Sequence, residues 1–252
     1  NATGNVAPVA TITGASTGLG LETALTLARA GYDVALADIR ADMLDDAMLH
    51  PDLAAVKSVA VTLDLLSEQS IRAGFDTAAE ALGGLEILVN NAGRPLLKAA
   101  QDVTWAEWDS LMDVNLKGAY FLAGHLARHC IAAGKPGAIV NIASTHGMTG
   151  LGGRSVYGIS KGGLIQMARM LAIEWAEHGI RVNCVAPTTV LTPSRQEILP
   201  EGERRERAKA RIPTGRFPDA WEIAAAVRYL VSDDAVSVTG HTLPVDGGLM
   251  AE

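Results

Sequence analysis

Seven short β-branched or apolar runs punctuate the chain: Val9 to Thr13, Asp33 to Asp38, Val59 to Leu63, Leu85 to Asn90, Ala138 to Ala143, Arg181 to Val185 and Thr242 to Val245. Between them lie longer stretches, Leu19 to Ala30, Ala41 to Leu49, Glu68 to Leu82, Trp105 to Ala133, Val156 to His178 and Asp219 to Ser232. In each of these the apolar residues recur near every 3.6 positions, the period of a helix with one buried face. Strand and helix therefore alternate along nearly the whole length. A chain so patterned is expected to form an α/β fold, a seven-stranded, mostly parallel sheet with helices on both faces.

The 252 residues hold no Pro/Ser/Gly linker, low-complexity tract or internal repeat, so residues 1–252 are read as one domain. A chain of that length buries roughly three quarters of the surface its unfolded form exposes and needs no disulfide to hold it. Only Cys130 and Cys184 occur, each in apolar surroundings, which predicts buried thiols in a reducing compartment. No run of about 18 apolar residues is present to span a bilayer. Asn1 to Pro8 has neither a basic nor an apolar leader segment, so the cytoplasm is the expected location. With 28 acidic against 21 basic side chains the net charge is −7, and no basic stripe with interleaved aromatics offers phosphates a partner, which argues against nucleic acid. The six histidines are scattered, and His125 and His129, although four apart, lack a third ligand, so no metal is expected.

The first strand runs into Thr13-Gly14-Ala15-Ser16-Thr17-Gly18-Leu19-Gly20 and then a helix. Glycines there allow a tight turn and close approach of backbone to a pyrophosphate, whose charge meets the amides of the helix N-terminus. Asp38 ends the second strand eighteen residues after Gly20. That is near the distance of about 20 at which a carboxylate reaches the ribose hydroxyls of NAD, and it would repel a 2′-phosphate. Arg40 lies two residues on, but Ile39 and Thr17 occupy the positions where a cation would help NADP, so NAD is the expected cofactor.

The spacing of Gly14, Gly18 and Gly20 resembles the TGxxxGxG motif of the classical short-chain dehydrogenases/reductases. Other motifs of that family follow in order: Asn90-Asn91-Ala92-Gly93 after the fourth strand, Asn115 in VNLKG, Ser144 after the fifth strand, and Tyr157-Gly158-Ile159-Ser160-Lys161 as YxxxK. The resemblance spans essentially the whole chain and implies a Rossmann fold, a homotetramer, and Asn115, Ser144, Tyr157 and Lys161 as the catalytic set. For the cofactor it implies contacts from Ser16, Leu19, Asp64, Leu65, Asn91, Ala92, Gly93, Tyr157 and Lys161, beside the residues already named. Pro187, Val190 and Thr192 match its PGxxxT, with Thr192 set against the nicotinamide carboxamide. Thr188 stands where that motif has glycine, which predicts a different backbone path after the sixth strand. The Pro187 to Thr192 run and Ile212 to Phe217 resemble the polyol and sugar dehydrogenase or xylulose reductase branch.

Oxidising an alcohol needs a base for the hydroxyl proton while hydride leaves carbon. Free tyrosine, with a pKa of about 10, is a poor base at neutral pH. Lys161 follows Tyr157 by four residues, so both project from one helix face, where an ammonium would stabilise a phenolate. The resemblance adds that Lys161 binds the nicotinamide ribose, Ser144 bonds the substrate oxygen and Asn115 holds a water leading to solvent.

For the substrate, Arg94, His146, Arg154 and Arg195 are expected near the pocket mouth, beside Ser144 and Tyr157; arginines there suit an anionic group, or serve as surface ion-pair partners. Few aromatics are expected at the site. Trp105, Trp108 and Tyr120 read as subunit-contact residues, and Trp175 and Trp221 as helix-face core. A small polyol, sugar or sugar acid is the expected alcohol or ketone partner, with a carbonyl or 3-oxoacyl reductase as the alternative activity and a non-catalytic dinucleotide sensor as a third reading that an intact tetrad disfavours. Residues 188–217, with EGERRERAKAR between Pro200 and Pro213, predict an exposed helical insertion covering the site.

Overall fold

The computed structural model describes residues 7–193, 196 and 199–251. Its seven strands are β1 (Val9–Thr13), β2 (Asp33–Asp38), β3 (Ser58–Thr62), β4 (Ile87–Asn90), β5 (Gly137–Ile142), β6 (Ile180–Pro187) and β7 (Thr242–Val245). They pair in the order β3-β2-β1-β4-β5-β6-β7, every neighbour parallel. The expected mostly parallel sheet is thus wholly parallel, because each connection carries the chain back over a face before the next strand begins.

The helices are α1 (Gly18–Arg29), α2 (Ala41–Met48), α3 (Glu68–Leu82), α4 (Trp105–Met112), α5 (Ala119–Ala133), α6 (Ser155–Glu174), α7 (Glu203–Ala210) and α8 (Ala220–Val231). Local signals place several ends. Thr104 and Glu107 form a reciprocal cap on α4, Asp219 and Glu222 do the same on α8, and Gly83 closes α3 in the left-handed region at φ 80°. Successive strand residues then serve opposite layers. Leu88 and Ile139 pack with Phe75 of α3, Leu126 of α5 and Leu164 of α6, whereas Val89 and Val140 pack with Leu25 of α1, Leu44 of α2 and Ile223 of α8.

Two expectations need correction. The single helix foreseen from Trp105 to Ala133 is interrupted by a π-turn over Asp113–Gly118, whose wider winding turns Asn115 into the interior. Trp221 is not a core residue but 59% exposed, since the buried stripe of α8 is Ile223, Ala224, Val227, Leu230 and Val231. Elsewhere on α5, His129 Nε2 accepts the Leu85 amide at 3.3 Å, and both His129 and His125 lie against the Phe75 ring at 5.7 Å.

Cys130 and Cys184 are buried and unpaired; burial pushes their thiols up to about 11 and about 12. No helix among the described residues is long and apolar enough to cross a membrane. The strand order reverses between β1 and β4, so their carboxyl ends open a crevice, the usual place for a ligand in such a sheet.

Candidate active site

The crevice holds a cavity of about 370 Å³, walled by Gly14, Thr17, Gly18, Leu19 and Gly20 on one side and by Asp38, Ile39, Asp64 and Leu65 on another. Asn91, Ala92, Gly93 and Thr192 complete the wall. Thirteen of the residues expected to hold the cofactor are thereby brought together. Gly14 turns the chain at φ 65°, and Gly20 lies so close to it that a Cβ would stand 2.1 Å from the Gly14 carbonyl oxygen. Thr17 precedes α1 without capping it through its side chain, so the first amides of the helix remain for an anion. The loop is tied to β4, whose following residue Asn91 donates from Nδ2 to the carbonyls of Thr13 at 2.9 Å and Gly14 at 3.1 Å. Thr13 also contributes: its Oγ1 accepts the amides of Asn91 and Ala92, each at 3.1 Å.

Ser16 does not line the cavity but holds the carboxylate that does. Asp38 Oδ2 accepts from Ser16 Oγ at 2.7 Å and from the Ser16 amide at 3.2 Å, and Oδ1 accepts the Arg40 amide at 3.1 Å. A cation does lie on this side, as the position of Arg40 two residues after Asp38 allows. Arg40 folds back so that Nη2 donates to Ser16 Oγ at 2.8 Å and to Thr17 Oγ1 at 3.4 Å, with Nε 3.5 Å from Asp38. The sequence distance from Thr17 to Arg40 concealed a contact made by a parallel strand pair. Dinucleotide dimensions, glycine-walled close approach and a carboxylate at the far end all fit a nicotinamide dinucleotide.

A second cavity of about 250 Å³ continues the first, sharing Leu19, Asn91, Gly93, Arg94 and Thr192 with it. Ser144, Tyr157 and Lys161 meet in its wall, along with His146, Pro187 and Val190. Ser144 follows β5 and accepts the His146 amide at 3.2 Å, which shapes the turn Ser144 to Gly147. That turn lies directly on α6: a Cβ on Gly147 would come within 2.7 Å of the Lys161 carbonyl carbon. Glycine here lets Ser144 approach the helix carrying Tyr157 and Lys161. The Lys161 ammonium is 4% exposed and donates to the Ile142 carbonyl at 2.6 Å, 5.7 Å from the Tyr157 ring centre. On the other side, the Arg154 guanidinium lies 6.0 Å from that centre and the His146 ring 6.2 Å. Two cationic side chains, Lys161 and Arg154, thus flank the Tyr157 ring.

Asn115 lines neither cavity. From the π-turn its Nδ2 donates to the Arg94 carbonyl at 3.0 Å and to Ser160 Oγ at 3.1 Å, while Oδ1 accepts the Arg94 amide at 2.7 Å. It fastens the loop after Gly93 to α6, and Ser160, inside the YxxxK motif, completes the tie. Arg94 lines both cavities, but its Nη1 is engaged with Ser110 Oγ at 2.8 Å. Arg195 lies outside the described residues. No described non-glycine residue, Thr188 included, has a positive φ. Thr188 keeps its amide 3.4 Å from the Val245 carbonyl, and Val190 and Thr192 still reach the wall, so the departure from glycine leaves the family's contacts possible.

A third cavity of about 290 Å³ adjoins the second across His146, Thr188 and Thr189. The insertion forms its outer wall. Leu199, Ile212 and Phe217 bury themselves together as a small separate core that carries α7 over the site.

These features define a Rossmann-type site in which Ser144, Tyr157 and Lys161 meet beside the glycine-walled crevice. The chain belongs to the short-chain dehydrogenase/reductase family, for residues 14–250 match the family described as enoyl-(acyl carrier protein) reductase. It is 36% identical over 241 residues to an NAD-dependent glycerol dehydrogenase of Listeria innocua, covering 95% of this chain and 92% of that one. Among solved structures it resembles a putative short-chain alcohol dehydrogenase of Sinorhizobium meliloti, with TM-score 0.93, 37% identity and 97% of each chain covered. It also resembles a putative 2-deoxy-D-gluconate 3-dehydrogenase of Agrobacterium tumefaciens with bound NADP, with TM-score 0.88, 35% identity and 97% of each chain covered.

Proposed function

We propose that the protein is an NAD-dependent dehydrogenase that oxidises a secondary alcohol of a small polyol, sugar or sugar acid. The observation that carries this is the continuity of two cavities, one ending at Asp38 and the other at Ser144, Tyr157 and Lys161. Bound in the first, the dinucleotide would supply a nicotinamide carbon that accepts hydride. The chain's own residues do the rest. Ser144 Oγ orients the substrate hydroxyl, and Tyr157 removes its proton. Lys161, fixed by the Ile142 carbonyl, keeps a cation beside the phenol oxygen and binds the nicotinamide ribose, and Asn115 holds the water through which the proton reaches solvent. Thr192 faces the nicotinamide.

Asp38 supports NAD, because a 2′-phosphate would meet a carboxylate. One observation favours the reductase alternative with NADP: Arg40 sets a guanidinium against Ser16 and Thr17 in the wall of the same cavity. A single experiment separates them. NADH and NADPH formation are followed with glycerol, xylitol, glucose and gluconate, and NAD is expected to exceed NADP in kcat/KM by about thirtyfold or more. Asp38→Ala is expected to narrow that ratio. A preference for NADP in the unaltered enzyme overturns the NAD reading, and no turnover of any alcohol with either cofactor overturns the dehydrogenase reading.

Assembly is proposed to be homotetrameric. Tyr120 and Phe121 of α5 and Met170 and Ile173 of α6 are between 48% and 77% exposed on neighbouring helices, an apolar face suited to a second copy. Light scattering on the purified protein is expected to return four chain masses; a monomer would sink the proposal. The unpaired, protonated thiols suit the reducing cytoplasm.

A further inference from the structure

The geometry points to an anion-binding subsite in the third cavity, built by Arg154 with Arg204, Arg207 and Arg211, that takes a carboxylate, sulfonate or phosphate carried by the substrate. This deepens the dehydrogenase reading and rests on it. The three insertion arginines are spaced by three and four residues, so they share one face of α7 and its last turn, and that face lines the cavity. Arg154 closes the inner side, 7% exposed and leaning over the Tyr157 ring at 6.0 Å. Among the described residues no aspartate or glutamate lines this cavity.

Charge pairing within the insertion sharpens the point. Glu203 pairs with Arg207 at 2.7 Å and Glu201 with Arg205 at 3.7 Å, but among the described residues Arg204 and Arg211 make no ion pair. In a chain of net charge −7, Arg154, Arg204, Arg207 and Arg211 line one small space. An anion entering the cavity would find several guanidinium groups in its wall, which raises its local concentration there. Guanidinium groups meet planar or tetrahedral oxyanions through forked, charge-assisted hydrogen bonds.

Position relates the subsite to the chemistry. His146, Thr188 and Thr189 belong to the walls of both the catalytic cavity and the basic one. A molecule whose hydroxyl lies between Ser144 and Tyr157 extends past them into the arginines. Leu97 and Leu151 line the remainder and suit its carbon skeleton. The site therefore fits a sugar-sized hydroxy acid better than a neutral polyol.

The test is equilibrium binding by calorimetry to the NADH-loaded enzyme, with four ligands of one skeleton: D-glucose, D-glucuronate, D-glucose 6-phosphate and 6-deoxy-6-sulfo-D-glucose. At least one acid is expected to bind tenfold or more tightly than glucose. In an Arg204→Gln/Arg211→Gln variant that advantage over glucose is expected to fall at least tenfold, with NADH affinity unchanged because neither residue lines the dinucleotide cavity. No acid reaching a tenfold advantage, or an advantage that survives the double substitution, overturns the subsite. Because the readout is binding, absence of turnover on every alcohol would count against the dehydrogenase reading alone.

Discussion

Replacing Tyr157 by phenylalanine is expected to lower kcat about a thousandfold, within the range of about 10² to 10⁴ that a positioned acid–base group contributes. The substitution removes one oxygen and keeps the ring against His146, so the wall of the cavity is preserved. Cofactor affinity is expected to stay within about threefold, since the larger cavity around Asp38 and the glycine loop does not include Tyr157. Lys161 cannot replace the phenol: its ammonium is a donor, held by the Ile142 carbonyl at 2.6 Å. Steady-state kinetics at saturating cofactor, with cofactor binding followed by fluorescence quenching, reads both quantities. A kcat within tenfold of the unaltered enzyme would falsify the assignment of Tyr157 as base.

Gly20→Ala is expected to damage the cofactor cradle more than any other one-carbon change. The added Cβ would stand 2.1 Å from the Gly14 carbonyl oxygen and 2.5 Å from Asn91 Nδ2, and neither separation is tolerable. Relief requires the loop to move away from Asn91, which loses hydrogen bonds to Thr13 and Gly14 and displaces the amides at the start of α1. Overpacking of this kind costs about 1–3 kcal/mol of stability. Cofactor affinity is expected to fall at least about tenfold, or about 1.4 kcal/mol. Gly31→Ala serves as the control, because that glycine also has a positive φ, 86°, but open space around it. It is expected to lower the melting temperature and leave cofactor binding alone. Equal loss of cofactor affinity in both variants would show that general destabilisation, not the cradle, is responsible.

The strands were readable almost to the residue because a parallel strand covered on both faces is a continuous apolar run, and such runs contrast sharply with the helical period around them. Val34, Leu36, Ile139, Val140 and Val182 are all fully buried. Helix faces were harder to read. Trp221 fits an apolar stripe when α8 is considered alone, and only the docking of α8 on α1 decides which stripe is covered. The π-turn was invisible for a related reason: nothing in DVNLKG forbids an ordinary helix. Asn115 gains three hydrogen bonds by turning inward, and all three partners lie in other segments.

The meeting of Ser144, Tyr157 and Lys161 was apparent from spacing, since Tyr157 and Lys161 are neighbours on one helix and Ser144 and the glycine loop follow strand ends. The fold-back of Arg40 and the cavity lined by the insertion arginines were not legible, although RRERAKAR is conspicuous as a charge run. Its periodicity shows that Arg204, Arg207 and Arg211 share a face but not what that face meets.

Motifs set by chain-local geometry, a tight turn after a strand or two residues four apart on a helix, belong to the sequence, because only a few bonds relate their atoms. The order of the strands also follows, given the family those motifs identify. The placing of Arg154, Arg204 and Arg211 in the wall of one cavity, and the contact of Arg40 with Ser16, arise only on folding. Long-range packing brings those charges to one place, and it gives an acidic chain an arginine-lined chamber beside the cavity that Tyr157 lines.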